Sequence, residues 1–68
     1  MAKEIITVEG MSCDHCKQAV EGALTNLNGI TTAEVNLSEG NVTVDYDPSQ
    51  VTTNSMKDAI EDQGYDVK

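Results

Sequence analysis

The chain has no Trp and no Phe, a single Pro and a single His. Without large aromatic rings beyond Tyr46 and Tyr65, its interior has to be assembled from Val, Ile, Leu, Ala and Met. Basic residues are scarce too. Four lysines stand against twelve acidic residues, a net charge of -8, which repels phosphate backbones and anionic headgroups. Nucleic-acid and membrane partners are thereby disfavoured, and a protein partner is expected to present a basic face. No apolar run approaches the ~20 residues of a membrane span, and the N-terminus lacks the basic-then-apolar order of an export signal. The chain therefore reads as cytoplasmic. Only two cysteines are present, three positions apart, too close to staple a fold, and a reducing compartment keeps such a pair as thiols. At 68 residues the expectation is one domain, residues 1–68, with a thin stability margin and little room for a deep pocket.

What is there is organised around Gly10-Met11-Ser12-Cys13-Asp14-His15-Cys16. Before it, Lys3 to Glu9 alternate, with Ile6 and Val8 on one face and Ile5, Thr7 and Glu9 on the other, the pattern of a strand. After it, Ala19, Val20, Ala23, Leu24 and Leu27 continue from Cys16 with helical spacing, leaving Lys17, Gln18 and Glu21 toward water. Cys13 then falls on a loop and Cys16 in a first helical turn, with Asp14 placed to cap the helix and Asn28-Gly29 to stop it.

Further on, Ala33, Val35 and Leu37 alternate with polar residues, Ser38-Glu39-Gly40-Asn41 has turn chemistry, and Val42, Val44 and Tyr46 alternate again. This predicts a hairpin, closed by Asp47-Pro48. Thr52 or Thr53 caps a second helix that buries Met56, Ala59 and Ile60, Gly64 ends it, and Tyr65-Asp66-Val67 suffices for a short edge strand. The order strand, helix, strand, strand, helix, strand suits an α+β, ferredoxin-like βαββαβ unit: a four-stranded antiparallel sheet with both helices on one face and a polar open face.

Two thiolates are soft ligands suited to Cu(I), whereas a closed zinc site needs four donors. Even with His15 the set is short of a tetrahedral cage. The orphan N–H groups of a helix start lower the pKa of a thiol placed on them, Cys16 most of all. An undersupplied pair at a loop tip binds a d10 ion and still admits an incoming thiolate, which is how a carrier behaves. Two other readings stand beside this one: a carrier of Hg or Zn, and a thiol-disulfide oxidoreductase. The second sits poorly with so short a chain, since that fold needs more residues and usually a proline facing the disulfide, whereas Pro48 follows a strand and precedes a weakly marked connection.

Gly-Met-Ser-Cys-Asp-His-Cys at 10–16, the helix through Ala19 and Val20, and Ala-Ile-Glu-Asp-Gln-Gly-Tyr-Asp-Val at 59–67 resemble the heavy-metal-associated domain family, in particular its bacterial copper chaperones. The resemblance implies an open-faced βαββαβ sandwich whose motif cysteines, Cys13 and Cys16, bind Cu(I). It also implies hand-over by ligand exchange to the metal-binding domains of a copper-exporting P-type ATPase, and in some members to a copper-responsive repressor. Carried onto this chain, Met11 matches the residue buried beneath the loop and Tyr65 the aromatic beside the site. His15 would join the metal only in a copper-bridged homodimer of an otherwise monomeric protein. Zinc and cadmium relatives often carry Asp where this chain has Ser12, and periplasmic mercury-binding relatives carry export signals. Running from Met1 to Lys68 without a tail, the chain is expected to be whole and not a piece of an ATPase.

Overall fold

A computed structural model describes residues 2–68. In chain order it contains β1 (Ala2–Glu9), α1 (Asp14–Thr25), β2 (Ile30–Asn36), β3 (Asn41–Tyr46), α2 (Thr53–Asp62) and β4 (Asp66–Val67). The strands form one sheet in the order β2-β3-β1-β4, every neighbouring pair antiparallel. Each helix therefore joins two strands that flank a third, the split βαββαβ arrangement expected from the sequence.

Strand alternation decides which face the helices cover. Ile6 and Val8 of β1 and Val42, Val44 and Tyr46 of β3 are buried, while Ile5, just before Ile6, is 60% exposed on the open face. Val20 and Leu24 of α1 and Met56 and Ile60 of α2 are fully buried against them, all within one core cluster. Side chains of this kind contribute roughly 1.5–3 kcal/mol each when buried. Thr52 caps α2 by accepting a hydrogen bond from the Ser55 N–H at 3.1 Å.

Several local expectations give way. The core is not wholly aliphatic: Tyr46 is buried, since its place in the Val42-Val44-Tyr46 alternation outweighs its polar tip. α1 ends at Thr25 and not at Leu27, because the Leu27 N–H bonds the Leu24 carbonyl and closes a tighter turn. Leu27 still packs on the core from outside the helix. Gly29 (φ +99°) consequently serves the entry into β2, where a Cβ would stand 2.8 Å from that of Gln50. β2 begins at Ile30, ahead of Ala33, with an irregularity between Ile30 and Thr32, and Leu37 lies in the turn beyond its end. Val51, in a connection without periodicity, is buried as well. Lys17 and Glu21 are half-buried, not directed to water, and Glu21 accepts a hydrogen bond from the Val35 N–H at 2.9 Å.

Candidate metal centre

The end of β1 positions the site. Val8 and Glu9 pair with Val67 and Asp66 of β4, which carries Tyr65 back to the point where β1 stops. There Gly10 adopts φ +98° and turns the chain, and a Cβ on it would sit 3.5 Å from the Tyr65 ring. Met11 follows, half-buried and packed against the core.

Cys13 is extended (φ -153°, ψ 171°) and takes the N-cap position of α1 that Asp14 was expected to hold. Its carbonyl accepts from the Lys17 N–H at 3.1 Å, but its side chain makes no capping bond. Asp14 becomes the first helical residue, an acid in the first turn where the helix end favours negative charge. With its thiol unused by the helix, Cys13 faces Cys16 one turn on, Sγ to Sγ 3.5 Å. That separation fits two thiols sharing a proton and is far longer than the ~2.04 Å of a disulfide. Cys13 is exposed and Cys16 half-buried, both as free thiols.

Hydrogen bonds converge on Cys16 and lower its pKa from 9.0 to about 6. The largest cause is the Ser12 backbone, followed by the Tyr65 hydroxyl and the Cys13 thiol. The direction is the one expected from a helix start, but the loop main chain and a tyrosine from the opposite end of the sequence account for most of it. The Tyr65 pKa rises in turn, because its hydroxyl donates to Cys16. At neutral pH Cys16 is thus biased toward thiolate.

His15 is exposed on the outer side of the first turn. Among the described residues, no three His, Cys, Asp or Glu side chains gather closely enough to hold a metal, so His15 and Asp14 do not complete a cage around the sulfurs. Sequence reasoning points to Cys13 and Cys16 with His15, Met11 and Tyr65 as accessory residues; the fold brings the two sulfurs and the Tyr65 hydroxyl together, packs Met11 on the core and leaves His15 exposed. Sequence reasoning misses Ser12, whose contribution is a main-chain group and carries no side-chain signature. Two soft sulfurs at an open rim leave room for a further ligand, a geometry that suits soft ions of low coordination number.

A split βαββαβ domain with an open dithiol at its first strand-helix turn defines the class: a small domain equipped to bind soft metal. Residues 5–66 match the heavy-metal-associated domain, and the chain belongs to that family. It is 69% identical to the copper chaperone CopZ of Staphylococcus saprophyticus over 68 residues, the whole of both chains. It superposes with a TM-score of 0.97 on a CopZ metallochaperone of known structure, at 63% identity over 98% of this chain and 100% of the other. The N-terminal domain of a potential copper-translocating P-type ATPase from Bacillus subtilis, solved in its Cu(I)-loaded state, has the same fold. Its TM-score is 0.92 at 33% identity, over 97% of this chain and 82% of that one.

Proposed function

We propose that the protein is a cytoplasmic copper chaperone, acting as one domain over residues 1–68, which binds Cu(I) through Cys13 and Cys16. It passes the ion to the metal-binding domains of a copper-exporting P-type ATPase. The observation that carries this reading is the sulfur pair itself: two free thiols 3.5 Å apart, one exposed and one biased toward thiolate. The likeness to a copper chaperone over the whole chain and to a copper-ATPase domain supports the choice of cargo and recipient.

The transfer is ligand exchange. Binding displaces thiol protons, and Cu(I) sits between two thiolate donors with an open side. A thiolate of the recipient enters there, one sulfur of the chaperone leaves and takes up a proton, and a second exchange completes delivery. Copper stays monovalent throughout and the only bonds of the protein that change are sulfur–metal and sulfur–hydrogen bonds, so the protein is a carrier and not an enzyme. A copper-responsive repressor is a second recipient for the same exchange. Two underfilled sites also share thiolates, giving a copper-bridged homodimer in which His15 comes within reach of the metal.

An anaerobic Cu(I) titration followed by native mass measurement tests the assignment. One copper per chain is expected, tight binding is lost in Cys13→Ser and Cys16→Ser, and added recipient domain removes the metal. Unchanged copper affinity in either variant, or efficient insulin reduction without retention of Cu(I) against a chelator, overturns it.

A further inference from the structure

The chain has five asparagines, Asn26, Asn28, Asn36, Asn41 and Asn54, and only Asn28 is followed by glycine. Asn41 lies in β3 and Asn54 in α2, and the Asn36 side chain accepts the Glu39 N–H at 3.1 Å. Asn26 closes α1, its N–H on the Gly22 carbonyl at 3.2 Å. Asn28 stands apart from these. It is exposed in the turn between α1 and β2, and its side chain bonds to no group among the described residues. The main chain on either side of it is tethered. The Leu27 N–H bonds the Leu24 carbonyl at 3.0 Å, the Leu27 carbonyl accepts from Ile30 at 3.4 Å, and the Gly29 carbonyl accepts from Asp47 at 2.8 Å. Between these ties, the Asn28 C=O and the Gly29 N–H have no main-chain partner among the described residues. That peptide plane is the loose one in the turn. It rotates about ψ of Asn28 and φ of Gly29, and glycine leaves the second nearly unrestricted. Packing at Gly29 (φ +99°) has no room for a Cβ, which would stand 2.8 Å from Gln50 Cβ, so its nitrogen is unshielded by a side chain of its own.

We infer that Asn28 is a site of self-modification, converted to aspartate and isoaspartate by the amide that follows it. The Gly29 amide loses its proton to hydroxide, and the nitrogen attacks Asn28 Cγ. The new N–Cγ bond closes a succinimide ring, and the Cγ–Nδ2 bond breaks with release of ammonia. Water then opens the ring. Hydrolysis at Cγ restores the main chain with an aspartate, while hydrolysis at the main-chain carbonyl leaves the chain running through Cγ, an isoaspartate. Nothing is oxidised or reduced, and nucleophile and electrophile are already held in one turn. Both products add one negative charge to the net -8. Isoaspartate also adds a methylene to the link between α1 and β2, flanked by the ties at Leu27 and Gly29, and so loosens the start of β2. The site is at the far end of α1 from Cys13 and Cys16. The reaction uses neither copper nor thiol, so its success or failure is separate from that of the chaperone reading.

Ageing the folded, reduced, metal-free protein at mildly alkaline pH tests it, with anion exchange to separate the products and peptide mapping with isoaspartyl methylation to place them. One acidic form is expected, mapped to residue 28, growing at least about tenfold faster than modification at any other asparagine, and faster as pH rises. Asn28→Gln, whose longer side chain closes a ring far less readily, is expected to lose that form, and Asn28→Asp to elute with it from the start. The isoaspartate form is expected to exchange the Ile30 or Asp47 amide faster than wild type, and unchanged exchange at both refutes the loosening of β2. A first modification at another asparagine overturns the inference. So does an Asn28 that stays intact in the folded protein while the chain unfolded in guanidinium is modified there, since the turn would then hold the Gly29 nitrogen away from Asn28 Cγ.

Discussion

Cys13 holds two positions at once, one sulfur of the close thiol pair and N-cap of α1, and it serves the helix badly. Ser, Thr, Asp or Asn at an N-cap accepts a hydrogen bond from the helix start, whereas the Cys13 side chain makes none. Cys13→Ser is therefore expected to raise the stability of the metal-free protein by about 0.5–1 kcal/mol, read by urea unfolding, while copper binding is lost. Cys16→Ser, inside the helix, should lose copper without that gain. Tyr65 acts on the second sulfur. Tyr65→Phe removes the hydroxyl that donates to Cys16, so the thiol should titrate above its present value of about 6, as followed by thiolate absorbance. The sign for stability follows from the same shift. A thiol whose pKa is lower folded than unfolded stabilises the fold fully above its unfolded value near 9 and loses that contribution as pH falls toward about 6. Tyr65→Phe should flatten this rise.

The two helices of the chain start differently. α2 is capped by a side chain, Thr52, whose oxygen takes the Ser55 N–H at 3.1 Å, and Thr52→Ala is expected to cost about 1 kcal/mol in denaturant unfolding. α1 begins on an uncapped cysteine and is held instead by burial of Val20 and Leu24 and by the tie from Glu21 to β2. The element patterns were legible because alternation and the 3.6-residue period are local properties of the chain: Ile6/Val8, Val42/Val44/Tyr46 and Met56/Ile60 announced their faces. The ends were less so. α1 stops at Thr25, two residues before its apolar stripe runs out, because the main-chain turn tightens there, and nothing in Leu27 as a residue reports which carbonyl its N–H will choose.

For the molecule as a whole, smallness sets the margin. Leu24 is fully buried among both helices and the sheet, and Leu24→Ala is expected to cost ~2–5 kcal/mol. In so small a domain that approaches the total stability, so the variant should be largely unfolded at room temperature by circular dichroism. Charge acts at the same scale. With a net charge of -8, copper transfer to a basic recipient surface should slow as salt rises, measured by stopped-flow chelator competition.

By itself the sequence determined the order of elements, the core faces and the identity of the two sulfurs, since periodicity and a closely spaced cysteine pair are written along the chain. Tertiary structure alone decided that a main-chain group of Ser12 and the hydroxyl of Tyr65 meet at Cys16, that Cys13 displaces Asp14 as the cap, and that the Glu21 carboxylate accepts the Val35 N–H of β2. Each of these depends on where backbone donors point and on contacts between segments far apart in the chain, and neither is encoded in any local pattern of residue types.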